Sequence, residues 1–161
     1  MPEIRLARES EWPIIWKMLE PVFRAGETYA VARDISEDEA KAIWMDAPVE
    51  TYIAYDGDYL GTFYIKTNHQ GGGAHVCNCG YVTASMAQGR GVASAMCEFS
   101  QRRALELGFR AMQFNLVLAS NGNAVALWQN LGFDIVGTLP AAFDHPTHGM
   151  VDAHVMWKTL C

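Results

Sequence analysis

The chain has no apolar run long enough to span a bilayer, which takes about 20 residues. Its first eight residues carry Glu3, Arg5 and Arg8, so they do not read as a secretory leader. Basic residues are scarce: 12 Lys and Arg against 18 Asp and Glu give a net charge of −6. That balance excludes the broad positive face that nucleic acid or an anionic membrane requires, although it leaves room for one local pocket for a phosphorylated ligand. The four cysteines, at 77, 79, 97 and 161, are too scattered to form a disulfide scaffold. They read as free thiols in a reducing, cytoplasmic compartment. Repeats, linkers and low-complexity tracts are also missing. The one biased segment is Asn68-His69-Gln70-Gly71-Gly72-Gly73, a short loop.

What is present is an ordinary globular composition in 161 residues, expected to form a single domain over 1–161. Alternation of apolar and charged residues predicts a strand over 3–8. Ser10 is expected to cap a helix running to about Arg24, with Pro13 in its first turn. Residues 25–35 read as a polar connection. Ser36-Glu37-Asp38-Glu39 forms a capping box that starts a second helix, ending near Met45. Residues 50–55 and 59–66, joined across Asp56-Gly57, read as a hairpin, and 75–83 as a further strand. A helix is expected over 91–107, with Val92, Ala93, Met96, Cys97, Ser100, Ala104 and Leu107 on its buried arc. Then follow an apolar strand over 110–118, a short helix over 121–131 closed by Gly132, and strands over 134–139 and 151–158. A loop containing Pro140, His145, Pro146, His148 and Gly149 is expected to join the last two, its histidines either lining a cleft or, the favoured reading, facing solvent. This order implies an α+β fold with layers like an α/β sandwich: a mixed, mainly antiparallel seven-stranded sheet flanked by about four helices.

The segment Gln88-Gly89-Arg90-Gly91-Val92-Ala93-Ser94 lies between a strand and a helix start. Two glycines allow a tight bend and close backbone approach. The helix start offers unpaired N–H groups and the positive end of a dipole, enough to hold a pyrophosphate in an acidic protein. Arg90 adds one charge-assisted donor. By itself the segment reads equally well as a simple glycine-rich turn.

The segment resembles the acyl-CoA signature Gln/Arg-x-x-Gly-x-Gly/Ala of the GNAT acetyltransferases, which Gln88, Gly91 and Ala93 match in register. Downstream, Asn121-x-x-Ala124-x-x-Leu127-Trp128-x-x-Leu131-Gly132-Phe133 is similar to that family's Asn-x-x-Ala-x-x-Leu-Tyr-x-x-x-Gly-Phe. Phe114-Asn115-Leu116-Val117, Ser120-Asn121 and Gly137-Thr138-Leu139-Pro140 also resemble a subgroup that acetylates proline analogues such as azetidine-2-carboxylate. The resemblance implies a GNAT fold and direct transfer of acetyl from acetyl-CoA to a small amine, such as an amino acid or a toxic analogue. A protein N-terminus, an antibiotic amine, or a non-catalytic acyl-CoA-binding module are the alternatives. Tyr81, Val82 and Thr83 would contact the pantetheine arm through their backbone, residues 88–94 the diphosphate, and Asn121 the CoA arm, unless Asn121 merely caps its helix. Trp128 replaces the family's usual acidic tyrosine, and indole is no proton donor to a thiolate; it packs against either the CoA arm or the core.

Two polar residues, Asn78 and Asn115, interrupt apolar strands that the family topology sets side by side. Each could serve the thioester or the acceptor, or be satisfied by backbone groups at a sheet irregularity. Asn115 and Glu27 are the candidate catalytic groups: Glu27 lies in the connection after the first helix and reads either as a base or as a solvated carboxylate. Tyr29 and Arg33 share that connection as candidate substrate contacts, Arg33 either clamping a carboxylate or pairing with a surface acid. His75, Cys77 and Cys79 share a strand face, but ligands for a metal seldom all come from one strand, so no metal is expected. Met156 and Trp157 suit either core packing or a homodimer through the last strands.

Overall fold

Alternation decides which face of each strand is buried, and in the central strands of the sheet both faces are covered. The computed structural model describes residues 2–161. Its strands are β1 (Glu3–Leu6), β2 (Glu50–Tyr55), β3 (Tyr59–Thr67), β4 (Val76–Thr83), β5 (Ala111–Leu118), β6 (Asp134–His145) and β7 (Gly149–Thr159), and its helices are α1 (Trp12–Ala25), α2 (Glu37–Lys41), α3 (Val92–Glu106) and α4 (Gly122–Asn130). The strands form one seven-stranded sheet in the order β1-β2-β3-β4-β5-β7-β6. Every neighbouring pair is antiparallel except β4 and β5, which the α3 crossover makes parallel. The mixed α+β architecture is the one expected from the element order.

Phe63 and Ile65 of β3, Cys77 and Cys79 of β4, and Met112 and Phe114 of β5 point to one face, where they pack with Met96, Cys97 and Ala104 of α3. On the opposite face Tyr64 and Val82 meet Ile15, Leu19 and Phe23 of α1 and Trp44. The three- and four-residue spacing of those α1 side chains gives the helix one apolar stripe. Each such large side chain, once buried, contributes roughly 1.5–3 kcal/mol. All four cysteines are free thiols, and Cys77, Cys79 and Cys97 are buried.

Several local expectations change. Ser10 is not a cap: a 3-10 turn, Glu9–Glu11, precedes α1, and Pro13 sits in the first turn of the helix beyond it. Ser36 does cap α2, accepting from the Glu39 N–H at 3.1 Å and donating to its carboxylate. That helix then widens into a π-helical turn, Ala42–Asp46, braced by Trp44 Nε1 donating to Thr62 Oγ1 and by Thr51 Oγ1 donating to the Trp44 carbonyl. On α3, Ala95 rather than Ala93 belongs to the buried arc. The last two strands are much longer than expected and meet in a three-residue turn. Pro140 lies within β6, where a register shift between Leu139 and Phe143 and a positive φ of 49° at Ala141 relieve the ladder. A proline is tolerable there because β6 is the sheet edge. His145 is buried, not solvent-facing: its Nδ1 accepts from the N–H groups of Thr147 and His148, and its ring stacks on His148 at 4.4 Å.

One buried carboxylate ties the start of the chain to the sheet. Glu11 accepts two hydrogen bonds from Arg5, at 2.9 and 2.8 Å, one from the Arg8 N–H at 2.8 Å and one from Tyr59 Oη at 2.9 Å. The Arg5 guanidinium above all, helped by the Arg8 N–H and the Tyr59 hydroxyl, lowers the Glu11 pKa from its ordinary 4.5 to about 2 against the opposing cost of burial. A carboxyl depressed on folding stabilises fully above its unfolded pKa and loses that contribution as pH falls through the folded one. Glu11→Gln should therefore cost roughly 2 kcal/mol at pH 7. Denaturant titrations of wild type and variant should converge as pH drops from about 4.5 towards 2; a constant gap would refute the assignment.

Candidate active site

Strands β4 and β5 pair at only two positions, Val76 with Ala111 and Cys77 with Met112. Beyond them the strands part. On its other edge β5 shifts register against β7 between Phe114 and Val117, so it bends away at the same height. Asn78 stands at the first parted position and spans the gap: its Nδ2 donates to the Gln113 carbonyl at 2.9 Å, and its Oδ1 accepts a long 3.4 Å bond from Tyr64 Oη. A side-chain amide thus replaces the missing ladder bond. This is the sheet-irregularity role, carried out at the wall of the cleft.

The cleft that opens there has a volume of about 1180 Å³. Tyr81, Val82 and Thr83 run along it with no β5 partner. Gly80 is required: a Cβ there would lie 2.6 Å from Tyr64 Cε2, so the Tyr64 ring rests directly on the β4 backbone. Burial raises the pKa of the Tyr64 phenol well above its usual value, which keeps it a neutral donor.

At the far end of β4 lies the glycine bend. Gly89 and Gly91 have φ of 76° and 77°, the left-handed region that glycine adopts without strain. A Cβ on either would meet nothing within 4 Å, so the bend faces open space. Gly91 is the N-cap of α3, and its carbonyl receives the first helical bond, from the Ala95 N–H at 3.1 Å. The N–H groups of Val92, Ala93 and Ser94 precede the ladder and have no partner within the helix. Gln88, Gly89, Gly91, Val92 and Ala93 line the cleft, whereas Arg90 and Ser94 do not contribute to its wall.

Trp128 forms the wall on the α4 side, 5.2 Å from Tyr81 and 5.0 Å from Phe114, which stacks on Phe133. Tyr81 is no substitute proton donor, since its hydroxyl is turned into the α3 face and hydrogen-bonded to Ser100 Oγ at 2.6 Å. Asn121 caps α4, its Oδ1 accepting from the Ala124 N–H at 3.3 Å, and it also lines the cleft.

The remaining candidates separate. Glu27 is exposed at the cleft. Tyr29 lines it too and donates to the Tyr81 carbonyl at 2.8 Å, fastening the loop after α1 to β4. Arg33 does not reach the cleft: it lies across Gly26, and its Nε donates to the Arg24 carbonyl at 2.8 Å. Asn115 lines the cleft in an exposed polar chain, accepting from Gln113 Nε2 and donating to Asn68 Oδ1. Sequence reasoning missed Tyr64 and Lys66, which line the same wall. Their signal was Thr62, Tyr64 and Lys66 recurring with period two, a polar face on an apolar strand. Among the described residues no group of three His, Cys, Asp or Glu side chains is placed to hold a metal ion, and no helix is long and apolar enough to cross a membrane.

Residues 12–133 match the model of the acetyltransferase (GNAT) family. The chain is 31% identical over 152 residues to N-acetyltransferase aca1 of Schizosaccharomyces pombe, covering 81% of this chain and 71% of that protein. A GCN5-related N-acetyltransferase from Kribbella flavida superposes with a TM-score of 0.93 at 42% identity, over 98% of this chain and 97% of its own. A phosphinothricin acetyltransferase from Sinorhizobium meliloti, solved in complex with AcCoA, shares the fold at 20% identity, with a TM-score of 0.85 over 99% of this chain and 88% of that one. A parted parallel strand pair, a glycine bend at the start of α3 and these likenesses agree: the chain belongs to the acetyltransferase (GNAT) family and is an N-acetyltransferase.

Proposed function

We propose that the protein transfers an acetyl group from acetyl-CoA directly to the amine of a small molecule. The observation that carries this reading is the cleft between β4 and β5, which ends at an open bend of unpaired N–H groups. Those donors, from 88–94, suit a diphosphate, and the unpartnered backbone of Tyr81, Val82 and Thr83 suits the amides of a pantetheine arm. Trp128 and Asn121 complete the wall beside that arm. Acetyl-CoA supplies the acyl thioester: the amine nitrogen bonds to the acyl carbon, the C–S bond breaks, and the CoA thiolate leaves.

The protein's own contribution is alignment and polar donors. Tyr64 Oη gives its one proton to a long, weak bond to Asn78 Oδ1; turned away from that bond, it would donate towards the carbonyl oxygen. Asn115 faces the same space. Glu27, exposed at the rim, would receive the proton of the acceptor ammonium and hand it to water. With Trp128 at the usual acid position and Tyr81 turned inward, no phenol on the α4 side protonates the leaving group. A thiolate of pKa about 8.5, judged by cysteine, needs little help. The buried free thiols suit a reducing, cytoplasmic setting. For a homodimer, the exposed Ile135, Val136, Leu139 and Met150 of the outer hairpin are better contacts than Met156, which is fully buried.

CoA thiol release with a panel of small amines tests the reading. Turnover should rise with pH until the acceptor amine is neutral. Acetyl-CoA binding without transfer to any amine would identify a non-catalytic module, and no binding at all would refute the site. Gly91→Val, which forces a side chain into φ 77°, should weaken acetyl-CoA binding at least about tenfold by calorimetry, with roughly 1–2 kcal/mol lost in stability.

A further inference from the structure

Charge inside the cleft is sparse. Among the described residues lining it, one is cationic, Lys66, and one anionic, Glu27. Lys66 on β3 stands directly across from Asn78 on β4, so both side chains leave the sheet on one face, where β4 and β5 begin to part. The Lys66 residue is half-buried, and its ammonium lies over the Tyr64 ring, 5.5 Å from the centroid. Several other cations of the chain are better supplied, while Arg8, Lys17, Arg90, Arg102 and Arg110, without a carboxylate partner among the described residues, are exposed. Arg5, Arg24, Lys41 and Arg103 pair with carboxylates, and Lys158 Nζ donates to Gln101 Oε1 and the Leu131 carbonyl. Lys66 has no carboxylate within ion-pair distance among the described residues. Three N–H donors with only a ring face beside them are under-used.

The diphosphate cradle does not account for this charge. Asn78, across from Lys66, lies five residues before Thr83, roughly 16 Å along the strand, and the glycine bend lies beyond that. The ammonium therefore sits at the opposite end of the cleft, beside the acceptor wall made by Tyr64 and Asn78. We infer that Lys66 anchors a carboxylate of the acceptor, so that the acceptor is an amino or imino acid with its carboxylate beside the reactive nitrogen. The inference rests on the amine acetylation proposed above and names its substrate class. The Tyr64 ring holds the ammonium over the cleft by its quadrupole. Glu27, at the mouth, complements the ammonium of the incoming zwitterion. Arg33, the carboxylate clamp expected from sequence, is occupied with the end of α1, and Lys66 takes that place.

The test follows CoA thiol release by wild type, Lys66→Met and Lys66→Arg, with L-amino and imino acids each set beside its methyl ester and its decarboxylated amine. The wild type should prefer the free acid roughly 10- to 100-fold in kcat/KM. Lys66→Met should lose that preference through the KM of the acid, and Lys66→Arg should keep part of it. Acetyl-CoA titration of each variant checks that the fold survives. Equal use of acid and ester by the wild type, or a preference that survives Lys66→Met, overturns the anchor and leaves acetylation standing. No transfer to any amine would instead strike the catalytic reading. The anchor is then judged by calorimetry of the free acids with CoA-loaded protein, where heat that vanishes in Lys66→Met supports it and no heat overturns it.

Discussion

The cleft exists because β4 and β5 stop hydrogen-bonding after two residue pairs. A parallel pair that continued would close the space and leave the backbone of Tyr81, Val82 and Thr83 spoken for. Parting strands in a protein interior is costly unless the freed groups find partners, and the chain supplies two from side chains. Asn78 reaches across to Gln113, and Tyr29 descends from the loop after α1 to the Tyr81 carbonyl. Aromatic packing holds the two sides apart: Tyr64 and Trp44 meet edge to face on one, while Phe114, Phe133 and Trp128 cluster on the other.

In the proposed function, the same arrangement would let a chain of net charge −6 accept a polyanionic cosubstrate. The donors at the bend are backbone N–H groups and a helix dipole, which act over a single turn and add nothing to net charge. No lysine or arginine lines the cleft at that bend, and among the described residues the one cation lining the cleft, Lys66, stands at its other end. Charge is thereby divided by position.

What was legible in the sequence was local. The glycine bend, the cap at Ser36, the Asn121–Phe133 pattern and the order of elements each involve consecutive residues whose geometry their neighbours dictate. Asn78 was visible as a polar interruption, but its partner, the Gln113 carbonyl, depends on where two distant strands separate. Lys66 was not legible because its place across from Asn78 comes from β3–β4 register, which no single strand encodes. Arg33 misled for the matching reason: a loop arginine near the right helix was drawn to a helix-end carbonyl nine residues back. The reach of β6 and β7 was underestimated because Pro140 reads as a strand breaker, and only its position on the outermost strand makes it harmless.

That outermost strand has a further consequence. An unprotected sheet edge is a template on which other chains can stack without limit. Here the bulge around Ala141 and the missing N–H of Pro140 interrupt the edge midway. Copies of this chain that meet along the outer hairpin therefore cannot continue an unbroken backbone ladder through that point.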